Sequence, residues 1–373
     1  APTPQPTISG TAIPTSTTPE PTPAPTITPA PLPASVYLPG VISEPQLWNN
    51  CGPATISMYL SYYKWGLTQN EAADVLKPNP RDKNVMPYEM VNYVNYDTAQ
   101  RALWRYGGDL ETIKSLLAAG FPVMVETGFE PANLRKEGWM GHYLLLIGYD
   151  DARQIFNTQD SYLLSHPPDG GEAIPEDWWD NFKGFEVPYS ELEHAWRAFN
   201  YVYIVVYPPE KENDVLNALG VYATDEMANH TAYNRAINEA TSLSEVRDRY
   251  FAWFNAGSSL VNLQDYAAAA SAYDTAFGLY PEIHEDYRPY RMLWYQTGPY
   301  YAYYYSGRYN DVINLAEQTL KNMSEPILEE SYYWRALSYY ALGDTEKAVA
   351  DLRESLKHHP GFGPSVTMLQ QIG

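Results

Sequence analysis

Cys51 is the only cysteine of the 373-residue chain and the first candidate for chemistry. It follows Gln46-Leu-Trp-Asn-Asn and opens a helical pattern of apolar residues, so it is expected in the first turn of a helix. There a thiol faces the positive end of the helix dipole and unsatisfied backbone N–H groups, which favour the thiolate. A lone cysteine is more often a small buried apolar residue, so a nucleophile would need a base elsewhere in the chain.

His142 is the candidate base. It begins an apolar run, Tyr143 to Ile147, which is bounded by turn residues and predicts a buried strand. A histidine at the rim of such a sheet can reach a thiol on a neighbouring helix. An isolated strand histidine is usually a satisfied core residue, but the pairing of Gly141-His142 with the Cys51-Gly-Pro-Ala element favours a catalytic role.

Asp160 is the candidate third group, and its position depends on the hairpin that follows His142. The residues Asp150-Asp-Ala-Arg153 predict the turn of that hairpin. An odd-numbered loop, such as 151–153, would place His142 and Asp160 on one face as diagonal neighbours, whereas a two-residue loop would place them on opposite faces. In the first register Asp160 can orient the imidazole and stabilise its cation. Asn157 and Asp151 are weaker substitutes.

Residues 36–208 combine helical patterns in their first half with short apolar runs in their second half. The predicted helices cover 51–63, 70–76, 87–95 and 110–118, and the predicted strands cover 121–126, 142–148, 154–157 and 201–207. Because the helices come before the strands along the chain, this pattern predicts an α+β domain. An insertion at 166–185 carries Trp178-Trp179 and is expected to be either a substrate rim or a cap on the domain edge.

Residues 209–373 show only helical patterns, with an internal repeat. One copy is carried by Trp253, Ala256, Gly257, Leu260, Tyr266, Ala269, Tyr273, Ala276 and Pro281, and another by Leu337, Tyr339, Gly343, Ala348, Leu352, Leu356 and Pro360. Small residues let the two helices of each unit approach, and the proline stops the second helix. An ordinary bundle would also show small residues at helical spacing, but the shared spacing of the two copies resembles tetratricopeptide repeats, with a degenerate copy at 294–316.

Residues 1–35 hold 11 prolines and 9 threonines, with one charge and no aromatic residue, so they cannot bury enough apolar surface to fold. They predict a disordered, polyproline-like stalk or linker. Such stalks often lift an extracellular domain off an envelope or wall, so we expect an extracytoplasmic protein, either secreted or anchored through a removed or missing N-terminal segment. A disordered spacer inside the cell is the alternative.

The net charge of −21 argues against nucleic acid and anionic membranes as partners, because both would repel the chain. No run of 18 or more apolar residues is present, so the sequence predicts no membrane span. The histidines other than His142 lie in no cysteine or carboxylate cluster with ligand spacing, and no Gly-rich phosphate loop occurs. The sequence therefore predicts neither a metal nor a cofactor. The pair Glu329-Glu330 is expected on a solvated helix face.

Residues 40–207 resemble the C39-like branch of the papain-like cysteine peptidases. The likeness rests on Gln46 upstream of Cys51-Gly-Pro-Ala, on Gly141-His142 at a strand start and on Asp160 one hairpin later. It implies an α+β papain-like fold with Cys51, His142 and Asp160 as catalytic residues. It also implies that the Gln46 amide joins the Cys51 backbone N–H in stabilising an oxyanion. Without the cysteine beside it, Gln46 would be interpreted as a surface loop residue.

This resemblance implies a cysteine peptidase that hydrolyses a peptide or protein substrate through an acyl-enzyme thioester, with the repeat groove binding a protein partner or the substrate. Characterised relatives trim leader peptides after a double glycine as domains of export transporters, whereas this chain carries a stalk and repeats, so that specificity is not carried over. Two alternatives remain: a peptide-binding scaffold with an inactive peptidase-like domain, and an acyl transferase with the same triad and an amine acceptor. The presence of all four site residues favours an active enzyme.

Overall fold

The computed structural model describes residues 31–130, 138–166 and 172–373, of which residues 32–373 form one compact unit. The predicted stalk lies outside the described residues up to residue 30. The carbonyl oxygen of Pro33 accepts a hydrogen bond from the Tyr149 phenol at 2.7 Å, so the chain joins the folded unit from about this point. The domain bounds 1–35, 36–208 and 209–373 stay predictions. No helix within the described ranges is both long and apolar enough to cross a membrane.

Seven strands in the described ranges form one antiparallel sheet in the order β2-β7-β3-β4-β5-β6, with β1 paired to the end of β4. The predicted strands are confirmed as β3, β4, β5 and β7. The other three were not predicted because each is short or lies at a sheet edge, where polar residues interrupt the apolar run. The strands are β1 Ser35–Tyr37, β2 Arg101–Arg105, β3 Val123–Phe129, β4 Met140–Asp150, β5 Ile155–Gln159, β6 Phe185–Pro188 and β7 Tyr203–Tyr207.

The helices of the first half begin where the sequence offers caps. Thr68 and Glu71 form a capping box, Pro87 occupies the first position of its helix, and Asp109 accepts a hydrogen bond from the Thr112 N–H at 2.7 Å. The four helices predicted for this half are therefore confirmed. The helices up to residue 219 are α1 Cys51–Tyr62, α2 Gln69–Leu76, α3 Pro87–Asp97, α4 Leu110–Ala118, α5 Tyr189–Trp196 and α6 Glu212–Leu219.

Helices cover both faces of the sheet, which makes β4 apolar on both sides. Along β4, Leu144 and Leu146 pack towards α4 and α5, whereas Tyr143 and Leu145 pack towards α1 and α3. A strand buried on both faces has a continuous apolar sequence rather than an alternating one, which explains the run after His142. The α+β fold class is confirmed, with the thiol on helix α1 and the imidazole on the interior strand β4, against which α1 packs.

The repeat region is entirely helical in the structure. Its first copy shows why small residues recur: a Cβ at Gly257 would lie 2.7 Å from the Tyr273 ring, so only glycine lets the two helices approach this closely. The helices are α7 Asp225–Ser242, α8 Val246–Asn262, α9 Tyr266–Leu279, α10 Met292–Tyr295, α11 Gly298–Tyr305, α12 Tyr309–Lys321, α13 Glu329–Ala341, α14 Thr345–His358 and α15 Gly363–Ile372.

The pair Glu329-Glu330 does not lie on a solvated helix face, so that prediction is wrong. Both side chains are buried, with exposed fractions of 3% and 7%. The first turn of α13 packs against the loop that precedes α3, and Asp82 and Glu89 of that region lie within electrostatic range of the pair. Docking of the repeats onto the first half buries these carboxylates, and such a contact leaves no trace in helical periodicity.

Candidate active site

Cys51 is the first residue of α1, as predicted, and its side chain is half-buried. Burial is the largest single influence and raises the pKa of its thiol, whereas the hydrogen bond and the charge of the neighbouring His142 lower this pKa. The Tyr143 backbone N–H and the Lys77 ammonium also lower it, so that the pKa lies below its usual value. The N-terminal end of α1 adds to this preference for the thiolate. The glycine after it is required by packing, since a Cβ at Gly52 would lie 3.2 Å from the Val85 Cβ.

His142 lies on β4 and is hydrogen-bonded to Asp160, with 2.8 Å between Nε2 and Oδ1. Both side chains are only 4% exposed. Because Nε2 contacts the carboxylate, Nδ1 is the ring nitrogen available to the Cys51 thiol. The structure therefore brings together the three side chains that the sequence proposed as a triad.

The length of the hairpin loop alone would have separated His142 from Asp160. The loop between β4 and β5 comprises the four residues 151–154, so it is neither the odd-numbered loop that would place both side chains on one face nor the two-residue alternative. With four loop residues and regular pairing, the two side chains would point to opposite faces of the sheet, because side chains alternate with a period of two.

A β-bulge restores the relation. The pairing of β4 with β5 shifts by one residue between Leu146 and Gly148. Continued one position past β5, the shifted register sets Asp160 opposite Leu144, two residues from His142. The two side chains thus become diagonal neighbours on one face, and the bulge supplies the one-residue offset that the loop does not.

The charge state of His142 follows from its neighbours. Burial lowers the pKa of the imidazole, but Asp160 and the Cys51 thiol raise it more strongly, to about 10. The Asp160 carboxylate is held by two further donors, the Tyr162 N–H at 2.8 Å and the Leu163 N–H at 3.0 Å. A lowered thiol pKa beside a raised imidazole pKa favours the thiolate–imidazolium pair over the neutral pair at pH 7.

Gln46 is half-buried and is fixed against the residue that follows Asp160. Its backbone N–H donates to the Ser161 carbonyl at 2.9 Å, and its side-chain oxygen accepts from the Ser161 hydroxyl at 2.9 Å. These two contacts hold the amide by its oxygen. No hydrogen bond to the described residues involves the amide nitrogen of Gln46, so that N–H group remains available as a donor. Ser161, which the sequence analysis missed, is a common residue type in a turn and gave no signal.

A cavity of about 290 Å³ has His142 and Asp160 on its wall. Most of its lining is apolar, and its far side is formed by Phe251 and Arg247 of helix α8. The repeat region therefore contributes part of the space next to the imidazole, which the sequence did not predict. The apolar lining includes Phe129, Trp139, Leu163, Leu192 and Ala198.

Tyr295 is a further residue from the repeat region beside the site, and the sequence did not predict it either. A Cβ at Gly141 would lie 3.2 Å from its ring and 2.7 Å from the Phe199 ring. Burial raises the pKa of the Tyr295 phenol, the Gly141 N–H lowers it, and the charge of Cys51 raises it further. The residue before His142 is therefore a glycine because two aromatic rings occupy the space of its side chain.

The chain was compared with known families and proteins. The Peptidase_C39 like family matches residues 39–199, and tetratricopeptide repeat families match residues 252–283 and 329–362. No curated protein matches the chain.

The solved structures that match the chain include the following two, both with low overall similarity. One is described as a C39-like peptidase from Bacillus anthracis, with 18% identity, a TM-score of 0.33 and coverage of 46% of this chain and 96% of that one. The other is a double glycine motif protease from an AMS/PCAT transporter in complex with the leader peptide, with 16% identity, a TM-score of 0.29 and coverage of 49% and 96%.

The family matches confirm the two resemblances that the sequence indicated, in the same order along the chain. The matched region 39–199 contains the thiol, the imidazole and the carboxylate described above, and the two repeat matches fall on the two copies identified by their glycine, alanine and proline spacing. Residues 39–199 match the model of the Peptidase_C39 like family, and later residues of the same chain match tetratricopeptide repeats.

Proposed function

We propose that the chain is a cysteine peptidase that hydrolyses peptide bonds with Cys51 as nucleophile, His142 as base and acid, and Asp160 as the group that orients His142. The observation that carries this proposal is the buried 2.8 Å contact between His142 and Asp160 beside a thiol whose pKa is lowered. A structural cysteine has no need of a carboxylate-supported imidazole, whereas a nucleophile does.

The reaction follows from these groups. The Cys51 thiolate attacks the peptide carbonyl carbon, and the carbonyl π electrons move to oxygen. The free amide N–H of Gln46 and the Cys51 backbone N–H can donate to that oxygen. The His142 imidazolium then transfers its proton to the leaving amine as the C–N bond breaks, which leaves a thioester. Water, deprotonated by the neutral imidazole, attacks the thioester and restores the thiol and the acid product.

The repeats are proposed to bind a protein partner or to present the substrate. Tetratricopeptide repeats are found in protein–protein interaction, and two side chains of helix α8 line the cavity next to His142. The Pro/Thr-rich residues 1–35 support an extracytoplasmic location, which remains a proposal from composition.

A peptide library incubated with the full chain tests this function, with products sequenced by mass spectrometry. We expect cleavage by the native protein and none by Cys51→Ala, while Asp151→Asn, a carboxylate in the neighbouring turn, retains native rates. Digestion in ¹⁸O-labelled water should place one ¹⁸O in the new carboxyl terminus. Products that contain no ¹⁸O and are joined to an added amine would instead favour the acyl transferase. Absence of cleavage together with an unreactive thiol would refute the enzyme and favour the scaffold.

A further inference from the structure

A cluster of carboxylates and one histidine lies where the repeats dock onto the peptidase-like half. We call it the interdomain cluster; it consists of Asp82, Glu89, Glu329, Glu330 and His359. The first two come from the loop before α3 and from its first turn, and the other three come from the second family-matched repeat. The side chains of Asp82, Glu329 and Glu330 are all more than nine-tenths buried.

Three members of the cluster converge on one point. One ligand atom each from Asp82, Glu329 and His359 lies within 4.8 Å of the other two. His359 Nδ1 and Glu329 Oε1 are 2.6 Å apart. Two carboxylate oxygens and one imidazole nitrogen at such separations can close around a single ion after small side-chain movements.

The buried charges of the cluster are poorly compensated. The Asp82 carboxylate accepts one long hydrogen bond, 3.4 Å from the Asn84 N–H. Beyond its own backbone N–H, the Glu330 carboxylate has no hydrogen bond or ion pair with any residue in the described ranges. Lys77 is close enough to influence Asp82, but its ammonium donates to the Asn49 carbonyl. Buried carboxylates without partners cost free energy, which a bound cation would offset.

Mutual repulsion is visible at Glu89. Burial raises the pKa of its carboxyl, the charge of Glu329 raises it further, and the value reaches about 7. Within the described ranges its carboxylate accepts one hydrogen bond, from the Met86 N–H at 2.7 Å, as part of the capping box of α3. Glu89 therefore remains available to balance a positive charge without being required as a ligand.

The cluster is accessible from solvent. A cavity of about 320 Å³ between α3 and the start of α15 is lined by Glu89 and His359 together with Tyr88, Tyr93 and Phe362. The cavity borders the cluster at His359, so an ion could approach from that side, whereas Asp82 and Glu329 do not line it.

We infer that the interdomain cluster binds a divalent transition-metal ion of the Zn²⁺ type, with Asp82, Glu329 and His359 as ligands. Imidazole nitrogen with two carboxylates suits Zn²⁺ and not Ca²⁺, which takes six or more oxygen ligands. Water would fill the fourth coordination position. Glu89 and Glu330 supply the remaining negative charge.

The ion would join the two halves of the protein, because one ligand precedes α3 and the other two belong to the last repeat. The sequence analysis predicted no metal, since the three ligands are far apart along the chain and only the docking of the repeats brings them together. The inference is independent of the proposed peptidase activity, because neither Cys51 nor the residues that contact its thiol provide a ligand.

Zinc titration of the full chain, stripped with chelator at pH 7, tests the inference. A Cys51→Ala background removes the thiol, which would itself bind Zn²⁺. We expect one ion per chain by isothermal titration and a rise in Tm of about 4 °C at a free zinc concentration 100-fold above Kd. Asp82→Asn and His359→Gln should each weaken binding by at least tenfold, whereas Glu354→Gln, which removes a carboxylate that pairs with the exposed Lys357, should not.

The ligand variants also separate binding from folding. Without zinc, Asp82→Asn should melt at or above the temperature of its parent, because it removes a repelled buried charge, and only the zinc-dependent rise in Tm should disappear. Two ligand variants are included so that a folding defect in one leaves the other as a test. Absence of saturable zinc binding in the Cys51→Ala protein would overturn the inference, and so would native affinity in both ligand variants. Equal stabilisation by Ca²⁺ would contradict the assignment of the metal class.

Discussion

Replacing Asp160 by asparagine removes one charge from the site and little else. The Asp160 Oδ1 accepts from His142 Nε2 at 2.8 Å and from the N–H groups of Tyr162 and Leu163. An asparagine oxygen in the same place can accept all three hydrogen bonds. The variant therefore tests the carboxylate charge without deleting the contacts that hold the turn.

The size of the effect can be worked out from the pKa of His142, which lies at about 10 in the protein. An unperturbed histidine lies at about 6.5, so the neighbours raise the pKa by roughly 3.5 units against the effect of burial. Asp160 and Cys51 both contribute to this rise. An opposite charge at contact distance typically shifts a pKa by about 1–3 units, which corresponds to roughly 10- to 1,000-fold in the ratio of ion pair to neutral pair.

The assay is the rate of alkylation of Cys51 by iodoacetamide at pH 6. We expect Asp160→Asn to react at least tenfold more slowly than the native protein and to lose peptide cleavage in parallel. Asp151→Asn is the matched control, because Asp151 pairs with Lys114 at 3.1 Å in the adjacent turn and should leave the rate unchanged. A folded Asp160→Asn protein that alkylates at the native rate over the whole pH range would refute the assigned role of the carboxylate.

Three further outcomes are expected. The alkylation rate of Cys51 should reach its plateau at a pH well below the ordinary thiol pKa of about 8.5, because His142 favours the thiolate. Peptide cleavage should fall as the pH rises through about 10, because the His142 imidazolium then loses its proton. A single midpoint near 8.5 would contradict the ion pair. Gln46→Ala should lower kcat by about 100-fold with little change in KM, and an unchanged kcat in steady-state assays would exclude it from the oxyanion site. Gly141→Ala should destabilise the fold by about 1–3 kcal/mol in urea denaturation, because its Cβ would lie 2.7 Å from the Phe199 ring; unaltered stability would show that the ring can move aside.

Several helices and strands could be predicted from the local sequence. The helix that begins at Cys51, the apolar strand after His142 and the two repeat copies all follow from periodicity and from small residues at fixed positions. These features depend on neighbours within a few residues, where backbone geometry repeats every 3.6 or 2 residues. The edge strands β1, β2 and β6 have no such pattern, because a strand at the edge of a sheet has fewer apolar contacts to select its residues.

The sequence by itself determined which residue types are available for chemistry: one thiol, a histidine at a strand start and a carboxylate one hairpin later. Only the tertiary structure decided whether they meet. A bulge between Leu146 and Gly148 corrects the face of Asp160, and the docking of the repeats brings Tyr295 beside the site. Docking also buries Glu329-Glu330, which helical periodicity placed in solvent. Register and docking depend on contacts between residues far apart in the chain, so local patterns carry no information about them.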